Sequence, residues 1–182
     1  MLNKNLLLFT YILFLNLQSQ KLETLSYPHL NQGTIDLITD LHSNFIEDRI
    51  LEVWLPPNFD SENNYDLLIM HDGQNLFDGT KTWNKQEWKL DEWASKLIPE
   101  KKVKPFIIVG IYNSGGNRWN DYFPENAYDF VNDKRYIDNN RPKLYANAYL
   151  KYIINELIPF VRSKYLTTSD DFSIVILSLI HI

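Results

Sequence analysis

The chain has 182 residues and no cysteine. Neither a disulfide nor a lipoprotein thioether can therefore form. It lacks an excess of positive charge. Eighteen Lys and Arg stand against 23 Asp and Glu, for a formal net charge of −5. Nucleic-acid partners favour basic patches, so this balance gives no support for such a partner. Internal repeats and low-complexity tracts are absent from the sequence. So is an apolar run long enough to cross a bilayer, which takes about 20 residues.

What is present suits one globular domain. Apolar residues make up 45% of the chain, and five Trp, eleven Tyr and ten Phe argue against disorder. Those aromatics either fill a core or, at the surface, stack on a sugar or an aryl ester. Residues 1–20 read as a secretory signal peptide. Lys4 gives a weak positive start, Leu6 to Leu17 is nearly all apolar, and Gln18-Ser19-Gln20 ends the run. Leu17 sits where a small residue is preferred for cleavage, and an uncleaved anchor is the alternative. The mature protein is expected to be secreted or periplasmic, with no stable membrane insertion after cleavage.

Hydrophobic patterning predicts an α/β fold. Residues 34–43 and 49–56 read as strands around a turn at Asn44 to Asp48, and Pro56-Pro57-Asn58 closes the second. Residues 66–71 form a third strand, and 105–112 a fourth that is apolar throughout, as expected when both faces are covered. Residues 87–98 read as a helix with Trp88, Leu90, Trp93, Leu97 and Ile98 on one face. A long loop spans Asn113 to Asn140. The helix at 144–165 carries a stripe of Leu150, Ile153, Ile154, Leu157, Ile158 and Val161, with Pro159 expected to kink or break it. A fifth strand starts at Phe172. Strands alternating with helices imply parallel pairs after an antiparallel opening hairpin.

The chemistry concentrates after the third strand, in Met70-His71-Asp72-Gly73-Gln74-Asn75-Leu76-Phe77-Asp78. A buried strand ending in a polar, Gly-containing loop is a common active-site rim in open α/β sheets. Asp72 and Asp78 are read as loop-forming residues that bond backbone in Asx turns. A His71–Asp72 metal pair is the alternative, but spacing supplies no further ligands. Arg118, with Tyr122 and Pro124, lies after the fourth strand. It is read as stapling its loop, with capture of an anionic or hydroxylated substrate as the functional alternative. Trp83, Trp88 and Trp119 are candidates to line a pocket, with core packing favoured for Trp88.

Five segments in order, RILEVWLPPNF, MHDGQNLFD, QEWKLDE, IIVGIYNSGGNRWNDYFP and YLKYIINELIPFVRSKY, resemble one branch of the α/β-hydrolase fold. That branch includes esterase D-like, enterochelin esterase-like and feruloyl or acetyl-xylan esterase-like proteins. The resemblance implies an α/β-hydrolase sheet with helices on both faces. It also implies an acyl-serine mechanism with a Ser-His-Asp/Glu triad and no cofactor or metal. The partner would be a small-molecule or carbohydrate ester, such as a siderophore or carbohydrate acyl ester.

One oxyanion donor in this fold comes from the loop after the third strand. The Gln74 N–H is the candidate, with Gly73 letting the backbone turn and approach substrate. His71, Asp72, Gly73, Asn75, Arg118 and Trp119 are the expected pocket residues. His71 precedes the nucleophile strand, while the fold's order is Ser, acid, His. It is therefore read as structural or pocket-lining, with a catalytic base as the alternative.

The chain departs from the pattern after the fifth strand. The family carries Gly-x-Ser-x-Gly there, and this chain reads Ile176-Leu177-Ser178-Leu179-Ile180. Ile resists the tight turn, so Ser178 is a catalytic candidate by position alone. Residues 177–182 also translate a transposase mosaic-end adapter and are expected to be a non-native tail, in which case His181 is not the triad histidine. Residues 21–176 would then be the front part of an esterase domain, inactive without its acid and histidine. The rival expectation is a non-catalytic glycan- or siderophore-binding pseudo-esterase.

Overall fold

A computed structural model describes residues 22–25, 30–130, 143–165 and 174–177. The expected signal peptide and Ser178 to Ile182 lie outside the described residues. Six strands form one sheet: β1 (Leu22–Leu25), β2 (Thr34–Ile38), β3 (Leu51–Leu55), β4 (Asp66–His71), β5 (Phe106–Ile111) and β6 (Ile174–Leu177). Their order is β1-β2-β3-β5-β4-β6. β1, β2, β3 and β5 pair antiparallel, whereas β4 pairs parallel with both β5 and β6. The antiparallel opening and parallel centre follow the expected plan. β1 is an addition that the sequence pattern did not mark.

Alternation of side chains across the pleat loads both faces of the sheet. Leu51, Val53, Leu67, Ile69, Ile107, Val109 and Ile111 point to one face, where they meet Tyr149, Ile153, Leu157, Val161 and Tyr165. Ile35, Trp54, Met70 and Ile108 point to the other, against Leu76, Phe77 and Ala94. Helix α1 (Leu90–Leu97) covers that second face. Helices thus lie on both faces, as the family resemblance implied.

The long helical segment is not one helix. It divides into α3 (Ala146–Tyr152), a π-helical turn (Ile153–Leu157) and α4 (Ile158–Tyr165). The Ile158 N–H reaches back five residues to the Ile153 carbonyl. Pro159 follows, where its missing N–H cannot serve the Asn155 carbonyl. The wider turn rotates the buried face. Leu150 and Ile154, expected in the apolar stripe, are 50% and 60% exposed, while Tyr149 and Tyr152 are buried in their place.

Within the stretch expected to be a long loop, a short helix α2 (Arg118–Tyr122) forms over the C-terminal edge of the parallel strands. Residues 131–142 of that stretch lie outside the described part.

Candidate active site

The parallel strands β4 and β5 end together, with His71 opposite Ile111. The loop after β4 begins with Asp72, which holds a left-handed backbone at φ 57° and ψ 44°. A left-handed residue turns the chain sharply, and Asp accepts this conformation more readily than most residues. A 3-10 turn, Gly73–Asn75, follows.

Gly73 was expected to supply the unusual backbone and approach a substrate. The structure gives the left-handed role to Asp72 and a packing role to Gly73. A Cβ on Gly73 would lie 2.5 Å from the Gly110 carbonyl carbon and 2.7 Å from its oxygen. Gly110 in turn has the Gly73 Cα 3.0 Å from the place its own Cβ would take. Two glycines thus let the turn press directly on β5.

Asp72 differs from its reading in a second way. Its carboxylate bonds side chains, not backbone. Arg118 donates from Nε at 2.7 Å and from Nη2 at 2.5 Å, and Asn113 Nδ2 donates at 2.7 Å. Burial disfavours the charged form, but the Arg118 and Asn113 hydrogen bonds and the Arg118 charge outweigh it. The carboxyl therefore lies below its ordinary range. Arg118 is a staple, as its place in the sequence suggested, and its guanidinium also lies over the Tyr122 ring, 5.4 Å from the centroid. Asp78 does form the Asx turn, accepting the Thr80 N–H at 2.9 Å.

Gln74 is half-buried, and its Oε1 accepts the Asn113 N–H at 3.3 Å. Among the described residues no acceptor takes the Gln74 N–H. Asn75 donates its N–H to the Asp72 carbonyl and accepts from the Trp88 N–H, closing the turn. The site therefore rests on Asn113, which sequence reasoning passed over. Its only sequence signal is a polar side chain just past an apolar strand.

His71 lies beneath this turn. Its ring stacks on Tyr122 with centroids 4.7 Å apart and meets the edge of Tyr149 at 5.3 Å. Among the described residues, both ring nitrogens are buried without a hydrogen-bond partner, as are the hydroxyls of Tyr122 and Tyr149. The two tyrosines influence each other electrostatically, but their hydroxyls lack hydrogen-bond geometry. Burial pushes the imidazole below its ordinary value; Asp72 opposes this and Arg118 reinforces it. Burial, helped by Asp72, pushes the Tyr122 hydroxyl up to about 12. A cavity of about 260 Å³ opens beside these rings, lined also by Ala146 and Leu150.

Trp119 stacks on Phe123 at 4.4 Å and lines neither this cavity nor the one beside Arg49 described below. Trp88 packs against the α1-side core as favoured, whereas Trp83 is 88% exposed. His42 and Asp48 form a histidine–carboxylate pair, Nδ1 to Oδ1 at 3.2 Å. It precedes β3, three strands away from β6, and so is not placed to serve a residue following β6. Among the described residues no three His, Asp or Glu side chains converge as metal ligands.

Residues 43–179 match the model of a family described as "Putative esterase". The chain belongs to this esterase family. A curated relative, the uncharacterized Bacillus subtilis protein YjcH, is 25% identical over 136 residues, covering 74% of this chain and 46% of that protein. Similar solved structures include an IroE-like serine hydrolase from Shewanella oneidensis, 25% identical with a TM-score of 0.49. That likeness covers 70% of this chain and 38% of the hydrolase. A CE1 ferulic acid esterase from Anaeromyces mucronatus is 19% identical with a TM-score of 0.48, over 87% of this chain and 57% of that one. The chain spans less than half the length of YjcH and of the Shewanella hydrolase. The sheet is an open mixed one, antiparallel from β1 through β3 to β5 and parallel at β5, β4 and β6, and the turn after β4 falls within the residues that match the family.

Proposed function

We propose that the whole protein is a secreted serine carboxylic-ester hydrolase acting on siderophore or carbohydrate acyl esters. The observation that carries this reading is the turn after β4. Among the described residues, the Gln74 N–H is left without an acceptor at the C-terminal edge of the sheet, one strand away from the end of β6. In this mechanism a serine on the turn after β6 attacks the ester carbonyl. The Gln74 N–H and the N–H following that serine stabilise the developing oxyanion. The ester C–O bond breaks, the alcohol leaves with a proton and an acyl-serine remains, and water then hydrolyses it to the free acid and serine. Ser178 holds the nucleophile's place by position. The native protein is proposed to carry Gly-x-Ser-x-Gly there, with residues 177–182 a foreign tail.

The Asp72–Arg118–Asn113 cluster fixes the turn and carries no proton itself, because Asp72 stays ionised across the neutral range. His71 is a neutral wall residue, not the general base.

Hydrolysis of aryl acetate, aryl ferulate and an acylated sugar by the protein from the native locus tests this. Turnover of at least one ester, abolished by replacing the serine after β6, is expected. Binding of these esters without turnover would support a pseudo-esterase instead.

A further inference from the structure

A second cavity, of about 270 Å³, opens at the same sheet edge in front of β3. It is lined by Phe45, Glu47, Arg49, Asn117, Asp121 and Tyr145, among others. The triad, the oxyanion turn and the His71 cavity do not account for it. Its floor is a buried charged pair. Arg49 Nη2 donates to Asp121 Oδ2 at 3.1 Å, with the two side chains only 6% and 4% exposed. Ser114 Oγ also donates to Asp121 Oδ2. Arg49 Nη1 is taken by the Glu47 carbonyl at 2.9 Å, yet its Nε finds no acceptor among the described residues. A buried guanidinium N–H left unpaired is costly, so an oxygen from outside the fold is the expected acceptor.

The rim is held in advance of any ligand. Glu156, in the π-helical turn, accepts from Ser43 Oγ at 2.6 Å, from the Asn44 N–H at 3.0 Å and from Asn44 Nδ2 at 2.9 Å. Ser43 Oγ then accepts the N–H groups of Phe45 and Ile46. The loop that presents Phe45 is thereby fixed, which lowers the entropy cost of binding. π-Helical turns of this kind often mark functional sites.

The electrostatics select the occupant. Asp121 neutralises Arg49, and the Glu47 carboxylate, 80% exposed, stands 4.0 Å from Arg49 Nη1. An anion would face two carboxylates, and a cation would face Arg49. A neutral molecule carrying hydroxyls satisfies both signs, while the Phe45 and Tyr145 rings offer apolar faces. We infer that this cavity is a binding subsite for a neutral sugar. The inference deepens the esterase reading and rests on it for one point only, that the sugar belongs to the ester. The cavity lies three strand spacings, ~14 Å, from the end of β6. An extended oligosaccharide, not a single ring, would join it to the reacting ester.

The test is binding, measured without turnover. Xylobiose and cellobiose, with digalacturonate as the anionic counterpart, are titrated into the whole protein expressed from the native locus and followed by two-dimensional NMR, including the Arg Nε–H signals. Saturable binding of a neutral disaccharide is expected, with shifts at Phe45, Asn117 and Arg49 Nε. Phe45→Ala and Asn117→Ala, both at the rim, should weaken it about tenfold, or about 1.4 kcal/mol, with unchanged melting temperatures. Three results would each overturn the subsite: no saturable binding, equal binding of digalacturonate, or variants that bind like the parent. Sugar binding by a whole protein that hydrolyses no ester would overturn the esterase reading and leave the subsite standing. Hydrolysis without sugar binding would do the reverse.

Discussion

Arg118 grips Asp72 with a two-point fork, Nε to Oδ1 at 2.7 Å and Nη2 to Oδ2 at 2.5 Å, across 46 residues of sequence. The fork ties α2 to the turn after β4, so the presentation of the Gln74 N–H depends on a side chain from a different loop. Lys cannot reproduce this planar contact. Arg118→Lys is expected to destabilise the fold modestly, because Arg118 is 36% exposed and water can replace part of the contact. A loss of about 1–2 kcal/mol in urea unfolding is anticipated. If the proposed hydrolase function holds, the larger effect should fall on kcat of the whole protein rather than KM, since a loosened turn would misplace the proposed oxyanion donor.

Gly73→Ala tests the contact between the turn and β5. The added methyl would overlap the Gly110 backbone, which cannot move aside as a flexible side chain would. A loss of about 1–3 kcal/mol is expected, the usual cost of overpacking. Gly110→Ala should behave alike, since it meets Leu76 Cδ1 at 2.8 Å and the Gly73 Cα at 3.0 Å. Chemical denaturation of both variants measures this, and parent-like stability in either would refute the contact.

The His71 imidazole is held below its ordinary value by burial, so acid should weaken the fold. The unfolded chain takes up the proton near pH 6.5, while the folded chain resists it until lower pH. The stabilisation is therefore complete above about pH 6.5 and falls as pH drops toward the folded value. His71→Phe keeps the ring stack with Tyr122 and removes the titration. Its melting temperature should change less between pH 7.5 and pH 5.5 than that of the parent. Identical pH profiles would show that His71 does not supply this dependence.

Glu156→Ala should loosen the loop at Ser43 to Ile46 without disturbing the turn after β4. Three hydrogen bonds to its carboxylate are lost. About 1–3 kcal/mol, or a fall of several degrees in melting temperature, is expected. Hydrogen exchange should quicken at Asn44, Phe45 and Ile46 and stay unchanged at Asn75 and Leu76.

Much of this arrangement was legible in the residues. β4 falls on Asp66–His71, the span that the apolar run marked, because it is short and bounded by polar loops. The polar turn after it was visible for the same reason. The stripe through Leu150 and Ile154 was misread because a π-helical turn changes the angular step, which a 3.6-residue period cannot anticipate. Tyr149 and Tyr152 were passed over because hydroxyl-bearing rings read as amphipathic, yet both are buried. The Arg49–Asp121 pair joins positions 72 apart, and no local pattern signals such a contact. Asp72 was placed on the right loop, but its partner could not be named until α2 folded back over it.

The most direct test of the central claim is reaction of the whole protein with a fluorophosphonate serine probe, mapped by peptide mass spectrometry. The account predicts one modified serine, on the turn directly after β6, and loss of ester hydrolysis in step with labelling. No labelling, or a label elsewhere in a protein that still hydrolyses esters, would contradict it.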